Sequence, residues 1–345
     1  MALPSSGTIT FSDIQTEFGG SNPIGLNEYY RGGAYVTANN TNVPTSGQIS
    51  VSNFYGASKS NPPSSIDLLV IAGGGGGGGG ANVSTGGCGG GGAGGYRYIT
   101  GVAVSAGTGY SITVGGGGAG GAYTSFGNTG SNGSNSSAFG YTSTGGGYGC
   151  RPYSGGPGGS GGSGGGGTGN SPCSQGGAGT SGQGYNGYPR PYVAPTYCGC
   201  CMTNPGVTGL GGGGGAGAAG TLKQGGSGAA NSITGSSITR AGGGGSSRDF
   251  GAGSNGGNGG GGAGSVALCG SYNNFSVAVA GTANTGGGGG GGSYQKAGAS
   301  GGSGVVILRY PNTFNDPVST TGSPTVTNTG GYKIYQFNGS GSITW

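Results

Sequence analysis

The sequence predicts a mostly β and irregular fold: a polyglycine-II-like glycine-rich bundle flanked by a small mixed α/β N-terminal module and a small C-terminal antiparallel β unit. Three observations lead there. Of 345 residues, 103 are Gly and 15 are Pro, types that helix interiors and central strands exclude. Ile, Leu, Val and Phe together supply only about 14% of the chain, less than an ordinary packed domain contains. Charged residues are 5% and the net charge is +5, so little self-repulsion opposes compaction. That argues against disorder, the competing reading of the composition.

Residues 1–60 hold three of the six acidic residues and two similar patterns. Ser6-Gly7-Thr8-Ile9-Thr10-Phe11-Ser12-Asp13-Ile14 is matched by Ser46-Gly47-Gln48-Ile49-Ser50-Val51-Ser52-Asn53-Phe54. Each runs from a Ser-Gly turn through strand-period alternation to a Ser suited to cap a helix. Ser12 followed by Gln15 predicts a capping box, with Gly19-Gly20 stopping the helix after two turns. Asn61-Pro62-Pro63 reads as a stiff linker out of this module.

Residues 61–310 form the glycine-rich domain. Short β-like pieces, Ile66–Ala72, Tyr96–Val104, Tyr110–Val114, Phe275–Ala280 and Val305–Tyr310, are separated by glycine runs with no fixed short period, which excludes collagen. Gly89–Gly94 resembles Gly259–Gly264, a trace of duplication. A run such as 73–80 has no side chains; as an extended left-handed helix with three residues per turn it spans about 25 Å and points its N–H and C=O groups outward. Bundled, such runs satisfy their own backbone groups without an oily core.

Residues 148–205 interrupt this pattern with Cys, Tyr, Pro and Arg, a composition suited to adaptable recognition loops. Tyr153, Arg190, Tyr192 and Tyr197 are the candidate ligand contacts, against the alternative that these residues only fill volume between glycine segments. Cys150, Cys173, Cys198, Cys200 and Cys201 are candidates for disulfides formed in an oxidising medium; buried thiols acting as small apolar fillers are the alternative. From 311 to 345, Thr325–Thr327, Tyr332–Phe337 and Ser342–Trp345 alternate in the strand period around Gly turns, predicting an antiparallel unit.

The chain has no His, which removes the usual general base and the commonest metal ligand. Its six carboxylates are scattered, without a close pair of the kind that hydrolyses glycosides. No metal and no cofactor is assigned, and no enzymatic activity is expected. Basic residues are dispersed rather than clustered, so nucleic acid is not an expected partner. No run reaches the length of a membrane span, so insertion is not expected either.

The segment Ile66–Ala72 leading into 73–80, then Gly91-Gly92-Ala93-Gly94-Gly95-Tyr96-Arg97, resembles the opening of glycine-rich domains in phage tail-fibre proteins. Ala283-Asn284-Thr285 before Gly286–Gly292, with Gly301–Tyr310, resembles their close. The start Met1–Gly7 with Phe11-Ser12-Asp13-Ile14 is similar to attachment segments of virion proteins, notably in phages of cyanobacteria. The resemblance implies a tail-fibre or adhesin subunit of the virion, a homotrimer. It would dock on other virion proteins through residues 1–60 and present loops to a glycan or protein of the host surface. A capsid-bound or baseplate subunit without receptor binding is one alternative; an ice-binding or matrix glycine-rich protein is another.

Overall fold

The computed structural model describes residues 2–59, 62–82, 87–152, 157–168, 175–189, 210–247, 254–266 and 276–345. The fold is mostly β and irregular, with one α-helix among the described residues.

That helix, α1 (Phe11–Phe18), lies in the N-terminal module and begins two residues earlier than the sequence suggests. Its N-cap is Thr10, not Ser12: Asp13 N–H donates to Thr10 Oγ1 at 3.2 Å, and Thr10 N–H donates to the Asp13 carboxylate at 2.8 Å. This reciprocal pair satisfies two end donors and places Ile14 and Phe18 on one buried face. Gln15 instead donates its amide to Gly20 O and Asn22 Oδ1. The second pattern repeats the device, because Asn53 Oδ1 accepts the N–H and hydroxyl of Ser50 ahead of a 3-10 turn over Val51–Phe54. The carbonyls of Gly7 and Gly47, both at positive φ, accept the hydroxyls of Tyr55 and Tyr30 respectively. Between the two patterns Phe18, Tyr29 and Phe54 pack ring on ring, with centroids 6.0 to 6.5 Å apart.

The rest of the chain is built on two five-stranded antiparallel sheets and a hairpin. The strands are β1 (Ser65–Ile71), β2 (Tyr96–Ala103), β3 (Gly109–Thr113), β4 (Ser136–Ala138), β5 (Tyr141–Ser143), β6 (Ala229–Asn231), β7 (Ile238–Arg240), β8 (Val305–Pro311), β9 (Ser319–Thr321), β10 (Thr325–Thr329), β11 (Tyr332–Phe337) and β12 (Gly341–Thr344). One sheet runs β10-β11-β8-β1-β2 and the other β5-β4-β3-β12-β9, while β6 pairs with β7. The C-terminal strands are antiparallel, as the sequence suggests, and they complete sheets begun earlier: β11 pairs with β8, and β12 with β3.

Strand alternation sends Ile66, Leu68 and Val70 of β1, with Val306, Leu308 and Tyr310 of β8, towards the second sheet. There they meet Ile112, Ala138, Ile343 and Trp345. Leu69, Ile71, Val305 and Ile307 face the other way and are covered by Ile233, Ala241 and Ala93. β1 and β8 are thus buried on both faces, which is why they read as unbroken aliphatic runs.

Glycine segments leave these sheets at one end. Ile71, Tyr96 and Val305 are neighbours in register at the glycine-bearing ends of β1, β2 and β8. In the second sheet Thr113 lies opposite Ser137 and Ser136 opposite Ser143 at the corresponding ends, and Ser143 Oγ donates to Val70 O across the sandwich at 2.9 Å.

Segment 73–80 shows what the glycines do. None of its residues has a positive φ and its bonding partners recur every third residue, the pattern of a left-handed helix with three residues per turn. Every N–H donates, at 2.7 to 3.1 Å, and the partners repeat every third residue. Gly73, Gly76 and Gly79 donate to 134, 131 and 128; Gly74, Gly77 and Gly80 to 302, 299 and 296; Gly75 and Gly78 to 92 and 89. Three further segments donate back: 118 and 121 to Gly74 and Gly77, 146 and 149 to Gly73 and Gly76, 289 and 292 to Gly75 and Gly78. The helix is therefore bonded to six others, antiparallel where it donates and parallel where it accepts. Segment 88–95 is surrounded in the same way by 72–78, 144–150, 163–166, 211–214, 244–247 and 286–289.

Outer segments reveal why the glycine pattern changes. Along 127–135 only Gly127, Gly130 and Gly133 point inward, where a Cβ would lie 2.1 to 2.3 Å from the carbonyl oxygens of Gly79, Gly76 and Gly73. Gly116, Ala119 and Ala122, three residues apart, face solvent. The predicted strand over Phe275–Ala280 does not form within its described residues, 276–280. Val279 instead bonds to Ala263 and Gly290, and Val277 and Val279 stay exposed, because the neighbours are threefold helices that offer no strand edge.

Candidate functional site

The far end of the bundle, away from the sandwich, is where segments reverse and side chains reappear. Three turns meet there: Asn82 N–H donates to Ser125 O at 3.4 Å, and Gln295 N–H to Ala81 O at 3.2 Å. Gln295 Nε2 also donates to Asn82 Oδ1 at 2.9 Å and to Tyr294 Oη at 3.1 Å. The turn 123–127 closes on Gly127, held at φ +69° with no room for a Cβ beside Gly79 O. It displays Tyr123 and Phe126, the latter 69% exposed.

Beside this turn lies an open cleft of about 570 Å³, lined by Gly120–Ala122, Asn128–Ser131, Tyr148 and Arg151. Its walls are two antiparallel glycine segments, so the lining is backbone plus short polar side chains. Tyr148 is set by its N–H, which donates to Asn132 Oδ1 at 3.0 Å. Arg151 follows the last bonded residue of its segment, Cys150, whose N–H donates to Gly166 O. Arg151 Nη1 reaches Gly127 O at 3.4 Å, and its own carbonyl accepts from Thr168 Oγ1 at 3.1 Å. Among the described residues no carboxylate lines the cleft.

Of the predicted contacts, Tyr153 begins two residues beyond Arg151 and lies outside the described residues, as do Arg190, Tyr192 and Tyr197. Cys173, Cys198, Cys200 and Cys201 lie outside them too. Cys150 is described and buried, its Sγ 3.4 Å from Arg151 O and 3.9 Å from Thr168 Oγ1. Cys88 is likewise buried, its N–H donating to Ser247 Oγ at 2.7 Å. Sequence reasoning passed over Tyr148, Arg151, Tyr123 and Phe126 as contacts. The usable signal was their position: each flanks the place where a glycine segment stops.

At the opposite, sandwich end, Arg240 and Tyr96 are neighbours on the covered face. Burial lowers the Arg240 pKa and pushes the Tyr96 hydroxyl up to about 12. Among the described residues no three of Cys, Asp or Glu gather as a metal-binding group, and no helix is long and apolar enough to cross a membrane.

A glycine-rich domain family matches residues 49–311. The chain belongs to that family. The glycine-rich domain so defined starts at Ile49, inside the N-terminal module, and ends at Pro311, the last residue of β8. It thus takes in β1–β8 and the whole glycine array, while β9–β12 lie beyond it. No curated protein matches the chain.

Proposed function

We propose that this glycine-rich protein is a structural subunit of a bacteriophage particle, a tail fibre or adhesin that attaches the virion to the host surface by binding without catalysis. One observation carries the reading: a bundle whose inner helices are bonded to six neighbours ends in a turn that displays Tyr123 and Phe126 beside a cleft lined by Tyr148 and Arg151. Such a body holds a contact surface at a set distance from its root, and rigid aromatic and basic side chains bind at low entropic cost. In this reading residues 1–60 dock on other virion proteins, and the host ligand is a surface glycan or protein met at the far end. A homotrimer is the assembly that the resemblance to tail fibres implies.

Immunogold labelling of intact particles tests it. Gold at fibre tips is the expected result. Gold over the head favours a capsid subunit without receptor binding, and unlabelled particles overturn the reading.

A further inference from the structure

We infer that the cleft at the bundle end binds an acidic polysaccharide, an extension that rests on the attachment reading and names its ligand class. The charges of the chain are partitioned. Residues 1–60 carry Arg31 and Lys59 against Asp13, Glu17 and Glu28. Residues 105–304 carry Arg151, Arg190, Lys223, Arg240, Arg248 and Lys296 against Asp249 alone, a net charge equal to that of the whole chain, +5. The excess positive charge of the chain is therefore carried by this stretch of the sequence.

Within the bundle, described backbone contacts place three of these residues at the far end. Lys296 O accepts from Gly80 N–H at 2.9 Å and Lys223 O from Ser246 N–H at 3.1 Å, both at the ends of segments that leave the sandwich. Arg151 lines the cleft itself. Arg151, on a concave surface whose described lining holds no carboxylate, raises the local concentration of an anionic ligand.

The lining decides between a sugar and a peptide. A protein hot spot needs a desolvated apolar pocket, and this cleft offers Asn128, Thr129, Ser131 and glycine backbone, groups that exchange hydrogen bonds with hydroxyls. Tyr148 adds a ring for a sugar face, and Arg151 a fixed positive charge beside it for a carboxylate or sulfate. The cleft is open, as an extended polymer running through it requires.

The test uses the full chain on surfaces bearing alginate, chondroitin sulfate, polysialic acid or neutral dextran, with duplex DNA as a non-sugar polyanion. Binding to at least one acidic glycan and none to dextran is expected, weakening about tenfold when ionic strength rises from about 0.05 to 0.5 M. Arg151→Gln weakens binding at least about tenfold at an unchanged melting temperature, whereas Lys59→Gln in the N-terminal module leaves it as it was. Equal retention on dextran, DNA bound as tightly as the best glycan, no glycan bound, or an Arg151→Gln chain that binds normally each overturns the inference. Gold at fibre tips alongside any of these leaves attachment standing with a different ligand; unlabelled particles remove attachment whatever the glycan surfaces report.

Discussion

A single methyl group placed inside the glycine array tests the fold most directly. At Gly77 an added Cβ would lie 2.0 Å from Gly290 O and 2.5 Å from Gly290 C. Both are backbone atoms of a segment bonded on all sides, so no side-chain rotation relieves the clash. The two helices must separate by roughly 1.5 Å to regain ordinary contact. That separation strains the bonds Gly77 makes as donor to Ala299 O and as acceptor from Gly121 N–H, both 2.9 Å. Leaving buried backbone groups unpaired costs about 1–3 kcal/mol each, and overpacking costs a similar amount, so Gly77→Ala is expected to destabilise by about 3–5 kcal/mol. Gly116 supplies the control, for it has nothing within 4 Å of its Cβ position and no positive φ. Gly116→Ala should be neutral or stabilising by up to about 1 kcal/mol, because it restricts only the unfolded chain. Paired urea or thermal melts of the two variants decide the matter. Equal stability would mean that the runs do not approach one another as described.

Two further measurements bear on the array and on the sandwich. Amide exchange should be slowest for the interior runs 74–79 and 89–94, whose N–H groups all donate within the bundle, and fast in the exposed turn 123–126; fast exchange throughout the runs would refute the network. Lys333 Nζ lies 2.8 Å from Asp316 Oδ1, and its hydrogen bond holds that carboxylate below its ordinary value of 3.8. A depressed folded-state pKa contributes stability above the ordinary carboxylate range and loses it as pH falls through the folded value. Asp316→Asn should therefore cost less than about 1 kcal/mol near neutrality, given the exposure of the pair, and nothing at about pH 2; unfolding curves parallel to wild type at every pH would show the pair to be inert.

How much of this was legible depended on whether a segment spoke through its side chains. β1, β2, β3, β8, β11 and β12 are visible as aliphatic or alternating stretches because burial on one or two faces demands it, and β10 alternates although all five of its residues are exposed. β4, β5, β6, β7 and β9 are three residues each, of Ser, Ala, Thr and neighbours, too short to show an alternation; β4 and β9 are strands beside the longer β3 and β12, while β5 pairs only with β4 and β6 only with β7. The helix start was misplaced because both Thr10 and Ser12 can cap, and only the carboxylate of Asp13, at the third helical position, selects Thr10. One readable signal was the spacing of Gly127, Gly130 and Gly133, and again of Gly298, Gly301 and Gly304. It marks outer helices with one inward face. The far-end cleft was half legible: the Cys-Arg-Pro-Tyr stretch drew notice as a recognition loop, but choosing Arg151 required knowing which segment faces it.

The array raises a question of register that composition alone does not answer. Because the threefold pattern repeats every three residues, sliding one polyglycine run past its neighbours by three leaves the interior bonds unchanged in kind. Nothing in the runs themselves selects one alignment. The selection comes from the sandwich, where Ile71 is held opposite Tyr96 and Val305, and a one-residue slip would turn Leu68 and Leu69 onto each other's faces. The runs that leave the sheets directly, such as 73–80 after β1, do so from a fixed starting point, so their far ends arrive at fixed relative heights without any specific contact along the way. A body built like this keeps its information at its two ends. The root is specified by aliphatic packing, the tips are constrained only where they touch one another, and the glycine between transmits position while tolerating almost any sequence in the turns it carries.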